Sequence, residues 1–312
     1  MSRIKHKVVV GLKNPEILLL KILKVIGPHL PDKPYLKLLF LFNMRQRLNL
    51  DYPKSFNEKL QWLKLNFRKP EMTTMVDKYR VRDYVAEKIG ETYLVPLLGV
   101  WNRPEEIDSD ALPNEFVLKC NHNSGVGNCV CKDKSRINFT DVFKNLNIAL
   151  RQDYYLRGRE WPYKDVRKCI IAEKLLVDHT TGEDSLRDYK FFCFDGKVKF
   201  FKIDLDRFTE HHANYYSPTG ELLEFGEKDL PPLYERKVKM PDTLSKMVEL
   251  AEKLSKDFPF LRVDFYDVDG RIYFGELTFY PASGIRPFTS MDWDYKLGKW
   301  LKLPFERDVN NN

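Results

Sequence analysis

Asp264 and Glu276 are of a type, and at a spacing, that suit holding a metal ion. The runs 262–266 and 271–279 are β-rich and flank Asp267-Val-Asp269-Gly270, a strong hairpin-turn signal. Alternate residues of a strand share a face. Arg262, Asp264 and Tyr266 therefore point one way on the first arm, and Glu276 and Thr278 share a face on the second. A hairpin folded at 267–270 brings Asp264 close to Glu276 among apolar neighbours. Two like charges in that setting repel unless something neutralises them. A hard cation does so, and Mg2+ is usually held by one or two carboxylates together with phosphates. The alternative is a pair of satisfied surface carboxylates on an ordinary hairpin.

A second candidate lies upstream, in Glu115-Phe-Val-Leu-Lys119-Cys-Asn121-His122-Asn123-Ser124-Gly125 and on to Cys131. The pattern reads strand, polar glycine-containing turn, strand. Lys119, at the inner end of an apolar strand, is costly to bury unpaired. The turn after it offers backbone N–H groups with Asn and Ser side chains, a natural anion nest, and a plain β-hairpin is the competing reading. The spacing is not that of a P-loop. Cys129-Val-Cys131 lacks the second pair that a zinc site needs, and His211 and His212 are too sparse for one. Five cysteines, an odd number set in strand-like runs, together with no signal peptide, fit a reducing cytosol better than a disulfide framework.

The elements that must position these groups follow from pattern. The 312 residues are 43% hydrophobic and 31% charged, a globular composition. The net charge of +7 suits anionic ligands or an anionic membrane surface without demanding nucleic acid, for which no motif is present. Residues 1–50 form a basic and apolar N-terminal extension. In it Asn14-Pro15 opens a helix over 17–26, and a second helical run follows Gly27-Pro28 at 35–42. Neither is long enough to span a bilayer. They pack on the body of the protein or form a peripheral membrane foot, with Lys21, Lys24 and Lys37 near headgroups. Ser55-Phe-Asn-Glu58 is a capping box ahead of Leu60, Trp62 and Leu63. Helices are expected over 74–88, 141–157 (capped by Thr140) and 242–257. Strands are expected over 93–100 and 168–177, with a hairpin at 188–204 that turns at Asp195-Gly196. Residues 205–240 read as loop and the tail from Asp308 as frayed.

In this order the pieces resemble an ATP-grasp enzyme, in particular the TupA-like group of bacterial capsule and cell-wall glycan loci. The resemblance covers roughly residues 50–303. Its markers are Ser55-Phe-Asn-Glu58-Lys59-Leu60-Gln61-Trp62, Asp77-Lys78-Tyr79, Val117-Leu-Lys119, Ile171-Ala-Glu173, Asp188-Tyr-Lys190-Phe, and Phe274-Gly-Glu276-Leu-Thr-Phe-Tyr-Pro281 with Ser283-Gly284. It implies an α+β fold that holds the nucleotide between two subdomains with mostly antiparallel sheets. The implied division is 51–110 as an associated N-terminal region, 111–180 as the small subdomain, 181–303 as the large subdomain with the metal site, and 304–312 as a tail.

By the same resemblance Lys78 and Lys119 touch nucleotide phosphates, and the loop containing Asn121, His122, Ser124 and Gly125 covers them. Glu173, Lys174 and Leu175 hold adenine, and Lys190 is a further phosphate residue and catalytic candidate. Asp264 and Glu276 hold Mg2+, with Thr278 where the fold usually has Asn, and Arg262 faces the transferred phosphate. The implied cofactors are ATP and Mg2+. The implied reaction is amide formation through an acylphosphate between an amino acid or amine and a uronic acid carboxylate. The acceptor would be an anionic or lipid-linked glycan and the setting the cytoplasm, at or near the inner face of its membrane. The rival is a sugar-nucleotide glycosyltransferase, suggested by Asp204-Leu-Asp206 and Asp267-Val-Asp269. No hydrolase elbow or zincin motif is present.

Overall fold

The computed structural model describes residues 15–180, 186–207 and 209–308, so the Asn14 cap and the tail beyond 308 lie outside the described residues. Two sheets organise the chain. The smaller contains β1 (Leu97–Trp101), β2 (Phe116–Cys120), β3 (Cys129–Cys131) and β4 (Ile170–Lys174) in the order β1-β4-β2-β3. The larger contains β5 (Asp188–Phe194), β6 (Lys197–Leu205), β7 (His212–Tyr216), β8 (Leu222–Leu223), β9 (Phe260–Val268) and β10 (Arg271–Thr278) in the order β10-β9-β5-β6-β7-β8. Every strand pairing is antiparallel.

Each sheet separates a core face from a polar face by the two-residue strand period. On β2, Phe116, Leu118 and Cys120 are buried with Leu146 and Ala149 of α6 (Phe139–Leu150), which leaves Val117 and Lys119 on the other face. In the larger sheet Phe191, Phe201, Val263 and Phe265 pack in one core with Met247, Leu250, Ala251 and Leu254 of α8 (Leu244–Ser255). The opposite face carries Lys190, Lys202, Arg262 and Asp264, all buried.

Helix α3 (Phe56–Asn66) joins this core through Phe56, Leu60 and Leu63. Its capping box forms as the sequence predicts: the Glu58 amide donates to Ser55 Oγ (3.2 Å) and the Ser55 amide to Glu58 Oε2 (3.0 Å). A satellite core of Leu23, Tyr35, Leu36, Leu39 and Phe40 joins α1 (Pro15–Ile26) to α2 (Asp32–Met44), so the two N-terminal helices do pack together. The chain closes with α9 (Met291–Trp300) and α10 (Pro304–Asp308).

Several expected boundaries are corrected. The helix expected over 74–88 is two, α4 (Glu71–Val76) and α5 (Val81–Ile89). Asp77 breaks it, because its carboxylate accepts from the amides of Tyr79 (2.9 Å) and Arg80 (3.2 Å) in place of helical carbonyls. The helix expected over 141–157 starts from Asn138, whose side chain accepts from the Thr140 amide, and ends at Leu150; α7 (Tyr155–Gly158) is separate. There Arg159 turns left-handed (φ 53°) and buries its guanidinium against the Gly27 and Leu30 carbonyls, a long-range demand invisible in local pattern. The strand expected over 93–100 begins only at Leu97, after Pro96, which has no amide to give a ladder, and the one over 168–177 is β4 alone. The loop expected over 205–240 contains β7 and β8.

Candidate active site

The hairpin β9–β10 closes on Asp269-Gly270, both at positive φ (52° and 79°), as a tight two-residue hairpin turn requires. Counted back from that turn along a regular ladder, Glu276 would face Val263. Instead an extra residue, Gly275, interrupts the register between Phe274 and Glu276, which sets Glu276 opposite Asp264 and Thr278 opposite Arg262. Phe274 and Leu277 both enter the core as a result, and Glu276 and Thr278 take the other face. A Cβ at Gly275 would lie 3.1 Å from the Asp264 carbonyl oxygen, tighter than ordinary contact.

Arg262 is clamped between the two carboxylates. Its Nε donates to Asp264 Oδ1 at 2.7 Å, and its Nη2 donates both to Asp264 Oδ2 at 2.7 Å and to Glu276 Oε1 at 2.6 Å. The Thr278 hydroxyl donates to Glu276 Oε1 at 3.2 Å. Burial pushes the Asp264 carboxyl up to about 6 against the pull of Arg262 and Lys190, with Glu276 adding to the rise. Burial also acts on Glu276, but Arg262, Lys78 and Lys190 outweigh it and hold that carboxyl below its usual range. The bare guanidinium therefore occupies the place of a shared counter-cation. Two carboxylates converging on one positive centre, with a hydroxyl beside them, form an oxygen set that suits a small hard ion.

One line of register partners crosses four strands: Glu276, Asp264, Lys190 and Lys202. Lys190 Nζ lies 2.6 Å from Asp188 and 2.8 Å from Asp204. Burial alone would lower its pKa, yet Asp188, Asp264 and Asp204 overcome that and hold it above the ordinary lysine value. Lys202 lies between Asp204 (3.5 Å) and Glu227 (3.4 Å), and Arg286 reaches Glu227 at 3.1 Å. Burial works against both acids, but these cations keep Asp204 and Glu227 below the usual carboxylate range. The face borders a cavity of ≈ 530 Å³ lined by Lys78, Ser124, Glu160, Lys190, Arg262 and Glu276, among others.

The smaller sheet meets this cavity through Lys78. The turn that breaks α4 from α5 carries it, and its Nζ donates to the Asn123 carbonyl at 2.5 Å while its amide donates to the Asn121 carbonyl. Burial lowers its pKa; Glu276 and Glu173 raise it and Lys119 lowers it, so all three lie within electrostatic reach. Lys119 finds its partner inside the protein, in Glu173 at 2.5 Å, with Arg82 also 3.7 Å from Glu173. On the single helix expected over 74–88, Lys78, Arg80 and Arg82 would point apart; the turn separates them instead, and Arg80 pairs with Asp77 at 2.5 Å.

The 121–125 loop is divided. Ser124 lines the cavity. Asn121 is buried and occupied, donating to the Arg167 carbonyl (3.0 Å) and accepting from the Cys169 amide (2.8 Å). His122 is buried against the Gln152 carbonyl, and burial pulls it down to about 4, so near neutral pH it offers no positive charge. Gly125 sits at an open tip, φ 78°. Lys174 and Leu175 line a different cavity, of ≈ 590 Å³, with Leu176 and Tyr273. Neither Asp-x-Asp triplet presents a free pair of acids. Asp204 is held by Lys190 and Lys202, and Asp267 accepts from Thr243 and the Gly270 amide within the turn.

Sequence reasoning missed the support behind the cavity wall. Lys64 is fully buried and donates to the Gly158 carbonyl (2.7 Å), the Ser283 carbonyl (2.8 Å), Ser283 Oγ (3.0 Å) and Gln61 Oε1 (3.1 Å). Gln61 also donates to the Gly284 carbonyl at 2.7 Å. These bonds hold a wall segment in which Ala282 (φ 46°), Ser283 (φ 56°) and Gly284 (φ 59°) are all left-handed. The signal was present: Gln61 and Lys64 sit on the same stripe of α3 as Leu60 and Leu63, where polar residues need a buried partner.

A sequence model of the TupA-like ATP-grasp family matches residues 58–302. The chain belongs to the TupA-like ATP-grasp family. No functionally curated protein matches it. Among solved structures it is similar to D-alanine–D-alanine ligase from Helicobacter pylori (15% identity, 80% of this chain and 70% of that one, TM-score 0.42). It is also similar to phosphoribosylamine–glycine ligase from Thermotoga maritima (14%, 69% and 52%, TM-score 0.42) and to the ATP-grasp ligase PsnB in complex with a minimal precursor (12%, 72% and 59%, TM-score 0.36). The chain spans between about half and 70% of the length of these three structures.

Proposed function

We propose that this TupA-like ATP-grasp protein is an ATP- and Mg2+-dependent carboxylate–amine ligase whose acceptor is a uronic acid of an anionic surface glycan. The observation that carries the reading is the register line that sets Glu276, Asp264 and Lys190 side by side, with Arg262 between the acids and Lys78 facing them across the cavity. Asp264 and Glu276 would hold Mg2+ with the Thr278 hydroxyl, and the ion when bound neutralises charge on the triphosphate. Lys78, Lys190 and Arg262 orient and stabilise the transferred phosphoryl group. An acceptor carboxylate attacks the γ-phosphate, breaking its bond to the β-phosphate bridge oxygen, to give an acylphosphate and ADP, and the amine then displaces inorganic phosphate and loses a proton to form the amide. The excess of cations over acids along the cavity wall suits a substrate pair that brings both triphosphate and carboxylate.

Lys119 and Glu173 act here as a pre-formed ion pair behind Lys78, from which Lys119 is available to phosphate once Glu173 engages the base. Nothing favours the transferase reading, since the fold has taken up both acidic triplets. The test is thermal-shift binding of ATP, ADP, UDP-sugars and CDP-sugars, each with and without Mg2+. Adenine nucleotides with Mg2+ should stabilise the protein most, and a preference for a sugar nucleotide overturns the reading. Glu276→Gln should lower ATP turnover by about a hundredfold to a thousandfold while the folded protein persists. Turnover equal to wild type removes Glu276 from the site.

A further inference from the structure

The N-terminal helix pair carries a surface that the ligase reading leaves unused. On α1, Leu19, Ile22 and Ile26 recur at helical spacing and are 40%, 45% and 45% exposed, and Val25 beside them is 75% exposed. Leu20 and Leu23 face inward to the satellite core, so α1 is apolar on both its inner and outer sides. In the same helix pair and the residues just after it, Lys21, Lys33, Lys37, Arg45 and Arg47 are exposed. Asp32, the sole acid in the sequence between 19 and 47, is half-buried and engaged by Arg159 and Arg68. Ten of the 52 basic residues but two of the 45 acidic ones fall within positions 1–50, so this segment accounts for the whole positive excess of the chain.

An exposed apolar stripe in a basic surround is the signature of a helix that lies in a lipid interface. At 12 residues α1 is about 18 Å long, too short to cross a hydrocarbon core, and among the described residues no helix is long and apolar enough to do so. Behind the stripe, Leu20, Leu23, Tyr35, Leu39 and Leu156 line a mainly apolar cavity of ≈ 530 Å³ together with Arg157. Arg157 also lines the active cavity. One guanidinium thus links the helix pair to the place where chemistry is proposed.

We propose that α1 and α2 seat the protein on an anionic phospholipid bilayer, with Leu19, Ile22, Val25 and Ile26 entering the interface and Lys21, Lys33 and Lys37 meeting its headgroups. The ligase acceptor is then membrane-borne, delivered past Arg157; that last step alone rests on the ligase reading.

The full chain is floated with vesicles of pure phosphatidylcholine or of phosphatidylcholine with about one-third phosphatidylglycerol, at low and high salt. Binding is expected to the anionic vesicles only and to weaken with salt. Ile22→Glu with Val25→Glu should reduce partitioning tenfold or more, and Lys33→Gln with Lys37→Gln by roughly twenty-five-fold, at about fivefold per cation. All four residues are exposed and outside the active cavity, so ATP turnover should be unchanged in both variants. No binding to anionic vesicles, equal binding to neutral ones, or variants that bind like wild type overturn the proposal. So does a dimer in light scattering that Ile22→Glu with Val25→Glu dissociates, since a second copy would then be the occupant. Wild-type protein that turns over ATP but does not bind anionic vesicles refutes the foot alone, whereas wild-type protein that binds them without nucleotide turnover refutes the ligase alone.

Discussion

Lys190 and Lys64 are both buried beside the same cavity, at 5% and 0% exposure, and the fold accommodates them in opposite ways. Lys190 is surrounded by full charges, with Asp188 and Asp204 within 2.8 Å, and its pKa is raised. Lys64 donates to two carbonyls, a hydroxyl and an amide oxygen, with Glu160 as its nearby charge, and burial pulls it down to about 8. On the proposed reading, carboxylates surround the lysine where negative charge must arrive and leave, because they can be exchanged for phosphate oxygens. Neutral dipoles surround the lysine whose task is to fix a wall.

The strongest test of that contrast is Lys190→Met. It removes the closest cation from the buried Asp188 and Asp204, leaving them Arg207 (2.8 and 3.5 Å), and should cost about 3 kcal/mol in urea unfolding. ATP turnover of the folded fraction should fall by about a hundredfold to a thousandfold in an ADP-release assay. Near-normal turnover would erase the distinction between the two lysines. Lys64→Met should cost about 1–3 kcal/mol at pH 7, because the Gly158 and Ser283 oxygens lose their donor, with turnover reduced tenfold at most. Its pH dependence has a definite sign. Lys64 in the folded protein loses its proton near pH 8 while the unfolded chain keeps one to about 10.4, so wild-type stability rises over that interval and the variant lacks the rise. Denaturation curves at pH 7 and pH 9.5 therefore diverge further at the higher pH, and a constant gap contradicts the buried-charge account. The smallest effect is expected at the segment Lys64 holds. Ala282→Gly relieves one left-handed residue (φ 46°) and should raise stability by about 0.5–1 kcal/mol with nucleotide affinity unchanged.

Much of the site was legible because its information is local. The two-residue period, the Asp-Gly turn and the capping box need only neighbours in sequence, and they placed Asp264, Lys190 and α3, whereas setting Glu276 opposite Asp264 took the Gly275 bulge. Where long-range partners decide, local pattern failed. Asp77 diverted two amides and split a helix, turning Lys78 toward the Asn123 carbonyl. Asn121 and His122 look like cavity residues in the sequence but are committed to Arg167, Cys169 and Gln152. The Ser55–Trp62 marker reads as a helix start, yet the Asn57 amide donates to Asp294, Lys59 reaches Glu306 and Gln61 holds the 283–284 carbonyls, more than 200 residues away.

Gly275 is small enough to be passed over, yet it keeps the count for everything beyond it. Removing that one residue would leave both strands and their turn able to form, but would put the rhythm of β10 out of step from Glu276 onward, offering Leu277 to the cavity and driving an acid into the phenylalanine core. The chemistry proposed for this family member therefore depends on an odd number: a hairpin with one residue too many on one arm.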